Sequence, residues 1–281
     1  MTRVQIDLAA LVAGIEWPDA EPAALARSAD RGTGGRLANL VEWLAATQGG
    51  FPPHQPNRPR CIVVGEVAAA VSELAADLDV GVVGLAIDDD VSSALAAGVA
   101  AAEEQIESGS DLLVVAGPGS TVADAVVVSV LTGAEPVALL PRGTEAVDTA
   151  SWIARAAAVR DTRRRVVDLA DQPDDLLAAL DHPGLAALTG LILRAASRRT
   201  AVVLDGGGAL AAALFVHRID ARASQWCRVA DDDPDPVHRR ATRELDQQPL
   251  LMLGTSAGDG TAGLLTVPLL RAAVLIAGAA A

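Results

Sequence analysis

Leu37, Leu40, Val41 and Leu44 recur at helical spacing in RLANLVEWLAATQ, which predicts an amphipathic helix that stops at Gly49 and Gly50. The stretch FPPHQPNRPR, residues 51–60, has no periodicity and breaks the pattern. Beyond it, short β-branched runs alternate with Ala-rich stretches: CIVV from 61, VGVVGLAI from 80, DLLVVAG from 111, TAVVLDG from 200 and LLMLG from 250. Apolar runs of this length separated by helical patterns imply βαβ units. The expected fold is therefore α/β, an open parallel sheet with helices on both faces (Rossmann-like) and further helices at the N- and C-termini. Residues 1–50 form an N-terminal helical segment on this reading, and residues 60–281 the α/β domain.

Open parallel sheets bind ligands beyond the carboxyl ends of their strands, so the loops after these runs are where chemistry is expected. Three are glycine-rich: AGPGST at 116–121, LDGGG at 204–208 and GTSAGDGTAG at 254–263. Gly117, Gly119, Ser120 and Thr121 follow a strand and open the helix VADAVVVSVLTG, where first-turn amides and hydroxyls can face a phosphate. Any strand-to-helix turn favours the same residues as a cap. Arg142, Gly143 and Thr144 precede another helix, and the arginine either presents its fork to an anion or lies on the surface. Asp205 ends a buried strand, where a carboxylate must be hydrogen-bonded; it either binds ligand or caps a helix. Asp259, between Gly258 and Gly260 at the mouth of the last helix, either accepts a proton from an azole nitrogen or serves as an N-cap.

Composition narrows the partners. Of the 281 residues 51% are hydrophobic, mostly Ala, Val and Leu, with no Tyr and two Phe, so the core is built from small aliphatic groups with closely packed helices. A formal charge of −14 opposes binding to nucleic acid or an anionic membrane. The one basic run, Arg163 to Arg165, reads as a solvated helix end. Cys61 and Cys227 are too few for a disulfide framework and sit in expected strands as core thiols. His182, His217 and His238 lack metal-ligand spacing, so no metal is expected. The apolar run from Leu112 to Ala123 is too short to span a bilayer, and the N-terminus has no secretory pattern. A cytoplasmic protein acting on small molecules is the expectation.

In order and in sequence, these loops resemble the nicotinate mononucleotide:5,6-dimethylbenzimidazole phosphoribosyltransferase family of cobalamin lower-ligand synthesis. GRLANLVEWLAATQG at 35–49 is similar to the family's GRLE-type helix. The segment ending in LLVVAGPGST is similar to its GEMGIGNTT region, and PRGT at 141 to its GRGTG turn. VVLDGGG, then DPDPVH, then LGTSAGDGTAGLLTVPLL resemble its VVLDG strand, HRSAEPGH segment and LGEGTGAALALPLL helix. The resemblance implies a parallel α/β homodimer that moves ribose 5-phosphate from nicotinate mononucleotide to a benzimidazole-type base, with no cofactor. It places Asp259 as the base on the azole, flanked by Gly258 and Gly260. It places the loops at Gly117–Thr121 and Arg142–Thr144 on phosphate, and Arg155 where the family has a helix lysine. Asp205 would position the ribose or its loop. The Leu-rich helices expected at 185–195 and 261–276 offer apolar surface for the dimer.

The chain also departs from the family pattern. The GEG glutamate is the shorter Asp259, the GEMG glutamate is Val115, and the basic pair of HRSAEPGH has become the acidic run at Asp231–Asp233. Between CIVVGE at 61 and DDDVSSAL at 88 the chain lacks the long stretch that in the family carries the DHGV and GVSAYP motifs of the aromatic base pocket. Two functional readings follow: a divergent phosphoribosyltransferase, or a catalytically degenerate paralogue that binds nucleotide or regulates.

Overall fold

The computed structural model describes residues 7–29, 35–117, 121–141, 149–255 and 257–280. Five parallel strands, β1 (Pro59–Val64), β2 (Gly81–Leu85), β3 (Leu112–Ala116), β4 (Ala201–Asp205) and β5 (Cys227–Val229), form one sheet in the order β2-β1-β3-β4-β5. The helices among the described residues are α1 (Leu8–Val12), α2 (Ala20–Ala29), α3 (Arg36–Gln48), α4 (Ala69–Asp77), α5 (Val91–Glu107), α6 (Val122–Thr132) and α7 (Thr149–Val166). They continue with α8 (Pro173–Leu180), α9 (Pro183–Ser197), α10 (Gly207–Ile219), α11 (Ala221–Ser224), α12 (Pro236–Glu244) and α13 (Thr261–Ala280).

Residues of β3 and β4 are buried along their whole length, and their side chains divide by parity. Leu113, Val115, Val202 and Leu204 enter one apolar layer with α5, α6, α9 and α10. Leu112, Val114, Ala201 and Val203 enter the other with α3 and α13. The small-residue composition lets backbones touch. A Cβ on Gly98 of α5 would lie 2.0 Å from the Ala187 carbonyl oxygen of α9, and one on Gly190 2.3 Å from that of Leu95.

Two expectations need correction. LLMLG from 250 is not the fifth strand: the edge position belongs to Cys227–Val229, three residues with an arginine at their centre, too short to carry a visible pattern. Leu250 and Leu251 donate their amides to Val229 and Ala230, the Leu251 carbonyl accepts from the Asp232 amide, and Leu251 forms a single bridge with Asp231. Past this contact the Leu253 amide donates to the Asp231 side chain and not to a strand backbone, so the pairing goes no further. Second, α9 offers no free apolar face, because Leu185, Leu188, Leu191 and Ile192 are buried. Thr261–Gly278 of α13, within which the apolar helix was expected, is also long and apolar enough to cross a bilayer. Instead its Leu264, Val267 and Leu270 are buried on the sheet, and Arg271 donates to the Pro56 and Leu78 carbonyls.

Candidate functional site

The strand order reverses direction between β1 and β3, and at that end of the sheet three chain segments far apart in sequence meet backbone to backbone. Gly117 leaves β3, Gly206 leaves β4 with φ 91°, and Gly258 precedes α13 with φ 61°. A Cβ on Gly206 would lie 2.2 Å from the Gly117 carbonyl oxygen and 2.4 Å from the Gly258 Cα. One on Gly258 would meet that same oxygen at 2.2 Å. The Gly117 amide closes the junction by donating to the Asp205 carbonyl at 3.0 Å. Gly260, with φ 101°, leaves only 2.9 Å between its missing Cβ and the Cys61 sulfur.

Two carboxylates serve the start of α13. Asp205 accepts from the Gly263 amide at 2.9 Å, and Asp259 from the Thr261 amide at 3.0 Å. Asp205 thus caps a helix remote in sequence, not α10, which follows it directly. Asp259 is half-buried, and its second oxygen accepts nothing from the described residues. Burial pushes the Asp205 carboxyl up to about 6; the Gly263 amide opposes this and the Asp259 charge reinforces it. Burial, with Asp205 and Asp259 beside it, raises the Cys61 thiol far above its ordinary range, so Cys61 is an inert core thiol.

Gly117, Asp205, Gly258, Asp259 and Gly260 are therefore brought together. Thr121 N-caps α6 in a capping box: its hydroxyl donates to Asp124 at 2.8 Å and its amide donates to the same carboxylate at 2.7 Å. Arg155 lies half-buried on α7, which packs against α6. Gly119, Ser120, Arg142, Gly143 and Thr144 lie outside the described residues. Val115, which the family pattern has as a glutamate, is buried in the layer with Leu113 and carries no charge.

The acidic run after β5, where the family pattern has a basic pair, serves as scaffold. Asp231 accepts from the Leu253 and Thr255 amides at 2.6 and 2.8 Å and from the Thr255 hydroxyl at 2.7 Å, which fastens the loop leading to Asp259. Burial raises its carboxyl, these bonds outweigh burial, and the result lies below the usual carboxylate range. Asp235 caps α12 through the Val237 amide at 2.8 Å. Sequence reasoning missed Asp231 because its partners lie more than twenty residues downstream, with no periodicity joining them.

The DBI_PRT family model, described as a phosphoribosyltransferase, matches residues 85–281. The chain is 32% identical to a nicotinate-nucleotide–dimethylbenzimidazole phosphoribosyltransferase of Mycobacterium leprae strain Br4923, with 93% of each chain covered. It is 33% identical to the one so named of Mycobacterium avium strain 104, again with 93% of each covered. Both alignments extend over 326 positions, more than the chain's own length, so these relatives carry residues this chain lacks. The crystal structure of CobT from Thermus thermophilus superposes with a TM-score of 0.80 at 24% identity, covering 92% of this chain and 96% of that one.

The buried carboxyl of Asp205 makes stability depend on pH. Between about pH 4 and pH 6 the folded chain keeps a proton that the unfolded chain has released, so stability is greatest below this window and falls as pH rises through it. Asp233, also raised to about 6 by burial, adds to the fall, and His238, pushed down to about 4 by burial, opposes it. Asp205→Asn is expected to shrink the loss of unfolding free energy between about pH 4 and pH 7 by roughly 2–3 kcal/mol, measured by urea titration at both pH values. An unchanged difference contradicts the assignment.

Proposed function

This chain belongs to the dimethylbenzimidazole phosphoribosyltransferase family, and on that premise we propose that it transfers ribose 5-phosphate from nicotinate mononucleotide to a benzimidazole-type base. The products are α-ribazole 5′-phosphate, used in cobalamin lower-ligand synthesis, and nicotinate. The azole's unprotonated nitrogen forms a bond to the ribosyl carbon as the bond to the nicotinate nitrogen breaks. The bonding electrons leave with nicotinate, and the azole N–H gives its proton to a carboxylate. The observation that carries the reading to a residue is Asp259, half-buried between two positive-φ glycines at the mouth of α13.

In this reading Asp259 is the general base, with Thr261 holding one oxygen and the other directed to the azole. The loop from Gly117 to Thr121, with Gly119 and Ser120, and the turn of Arg142, Gly143 and Thr144 hold the phosphate, and Arg155 adds charge from α7. Asp205 fixes the start of α13 and through it the placement of Asp259. Valine at position 115 leaves the ribosyl centre without the family's second carboxylate. The transition state thus has less electrostatic stabilisation, and a slower enzyme than fuller members is expected.

Incubation of the purified protein with nicotinate mononucleotide and 5,6-dimethylbenzimidazole, reading nicotinate release, tests this. Asp259→Asn is expected to lower the rate by about 10²- to 10⁴-fold, the usual worth of a placed general base. Asp259→Glu, with the longer arm, is expected to keep or raise it. A wild-type rate in Asp259→Asn removes Asp259 as the base, and no nicotinate release by the wild type overturns the proposed reaction.

The same reading makes the protein a cytoplasmic homodimer. Its support is the apolar surface left by Leu275 and Ile276 near the end of α13 and by Met252 and Leu253. Light scattering should give twice the 28.6 kDa chain mass at micromolar concentration, and the single-chain mass would refute the dimer.

A further inference from the structure

A cavity of about 430 Å³ opens between the start of α3, α12 and the chain from Gln247 to Met252. Arg36, the first residue of α3, lines it together with Arg239 and Arg243, which lie four residues apart on α12. Asp232 is the one carboxylate among the lining residues, and Asp246, just past α12, does not border the cavity. Three arginines against one aspartate leave two positive charges in excess, in a chain whose formal charge is −14.

Local partners leave that excess standing. Arg36 gives a guanidinium nitrogen to the Pro249 carbonyl, which anchors the side chain without neutralising it. Arg239 approaches Asp232 only to 3.7 Å, with both side chains close to half exposed. Arg243 pairs with no carboxylate among the described residues. Arg240 turns elsewhere on α12, to Glu244 at 3.2 Å and the Thr132 carbonyl at 3.1 Å. Like charges one turn apart on a helix repel. The negative end of α12 favours Arg243 in its last turn, but Arg239 is the fourth residue of the helix and has no such support. Gly35 at the N-cap of α3 puts no side chain on the first-turn amides, so the positive end of that helix adds to the same potential.

Like charge gathered in a concave site raises the local concentration of anions. A guanidinium fork fits phosphate oxygens two at a time, and a dianion cancels both excess charges. The volume lies in the range of small-molecule sites, roughly 300–1,000 Å³, and leaves room for more than a bare phosphate group. We propose that this cavity binds a phosphate dianion, free or as the head of a small monoester, held between Arg36, Arg239 and Arg243. No bond is made or broken. Gly117, Asp205, Gly206, Gly258 and Asp259 do not line the cavity, so it is separate from the glycine junction.

The test is calorimetric titration of the full chain at about pH 8, where phosphate is mostly the dianion, in about 0.1 M sodium chloride to screen diffuse attraction. The probes are inorganic phosphate and glycerol 3-phosphate, with acetate as the monoanion control. Saturable binding of phosphate is expected, and none of acetate. Tighter binding of glycerol 3-phosphate assigns the site to an ester, and tighter binding of inorganic phosphate assigns it to the free anion. Arg239→Gln and Arg243→Gln should each weaken this binding about tenfold, the worth of a charged hydrogen bond, and together abolish it. Both side chains are at least half open to solvent, so the variants are expected to fold. Arg240→Gln, with the same loss of charge on the same helix, should leave it unchanged. Because the readout is binding, it holds whether or not the chain releases nicotinate. The proposal is overturned by absence of saturation with either phosphate at millimolar concentration, by equal binding of acetate, or by unaltered affinity in the Arg239→Gln, Arg243→Gln double variant.

Discussion

The carboxyl end of the sheet depends on one constraint, the absence of side chains where Gly117, Gly206 and Gly258 meet. Separations of 2.2 to 2.4 Å between a hypothetical Cβ and its neighbours leave no room even for alanine. Two of the three glycines also hold positive φ, a conformation that costs other residues about 1–2 kcal/mol. Because these loops come from β3, β4 and the approach to α13, their contact converts three local turns into one rigid floor. On it, Asp205 and Asp259 cap α13, and Asp231 ties down the preceding loop. The base proposed for catalysis thus owes its place to backbone packing more than to its own interactions.

Much of the fold was legible because periodicity is a local signal. The helix ending at Gly49 appears as α3, capped by Gly49 in the left-handed conformation, and the runs from 61, 80, 111 and 200 became β1 to β4. What escaped was set by distant partners. β5 is three residues long and owes its pairing to β4 alone, whereas the more apolar LLMLG makes one bridge and then gives its Leu253 amide to the Asp231 side chain. The apolar face of α9 gave no hint that α5 would cover it, since that contact depends on single glycines in two helices separated by β3 and by α6, α7 and α8.

At the site, glycine placement after strands singled out Gly117, Asp205 and the Gly258–Gly260 turn, and the structure brings them into one region. Motif order supplied the family, and the comparisons agree with it. Spacing did not distinguish caps from ligands: Thr121, Asp205 and Asp259 all accept from backbone amides, as short polar residues at helix starts commonly do. The acidic run was the least legible part. Asp231 binds the Leu253–Thr255 loop across a gap that no sequence pattern bridges.

The most direct test of the glycine floor is the rate of nicotinate release by Gly206→Ala under conditions where urea unfolding shows the variant folded. Relief of the 2.2 Å approach must displace the Gly117 or the Gly258 loop, and with it either the proposed phosphate loop or Asp259. The account predicts a fall in rate of about tenfold or more, since small misplacements of reacting groups are costly. A folded Gly206→Ala that releases nicotinate at the wild-type rate would contradict it.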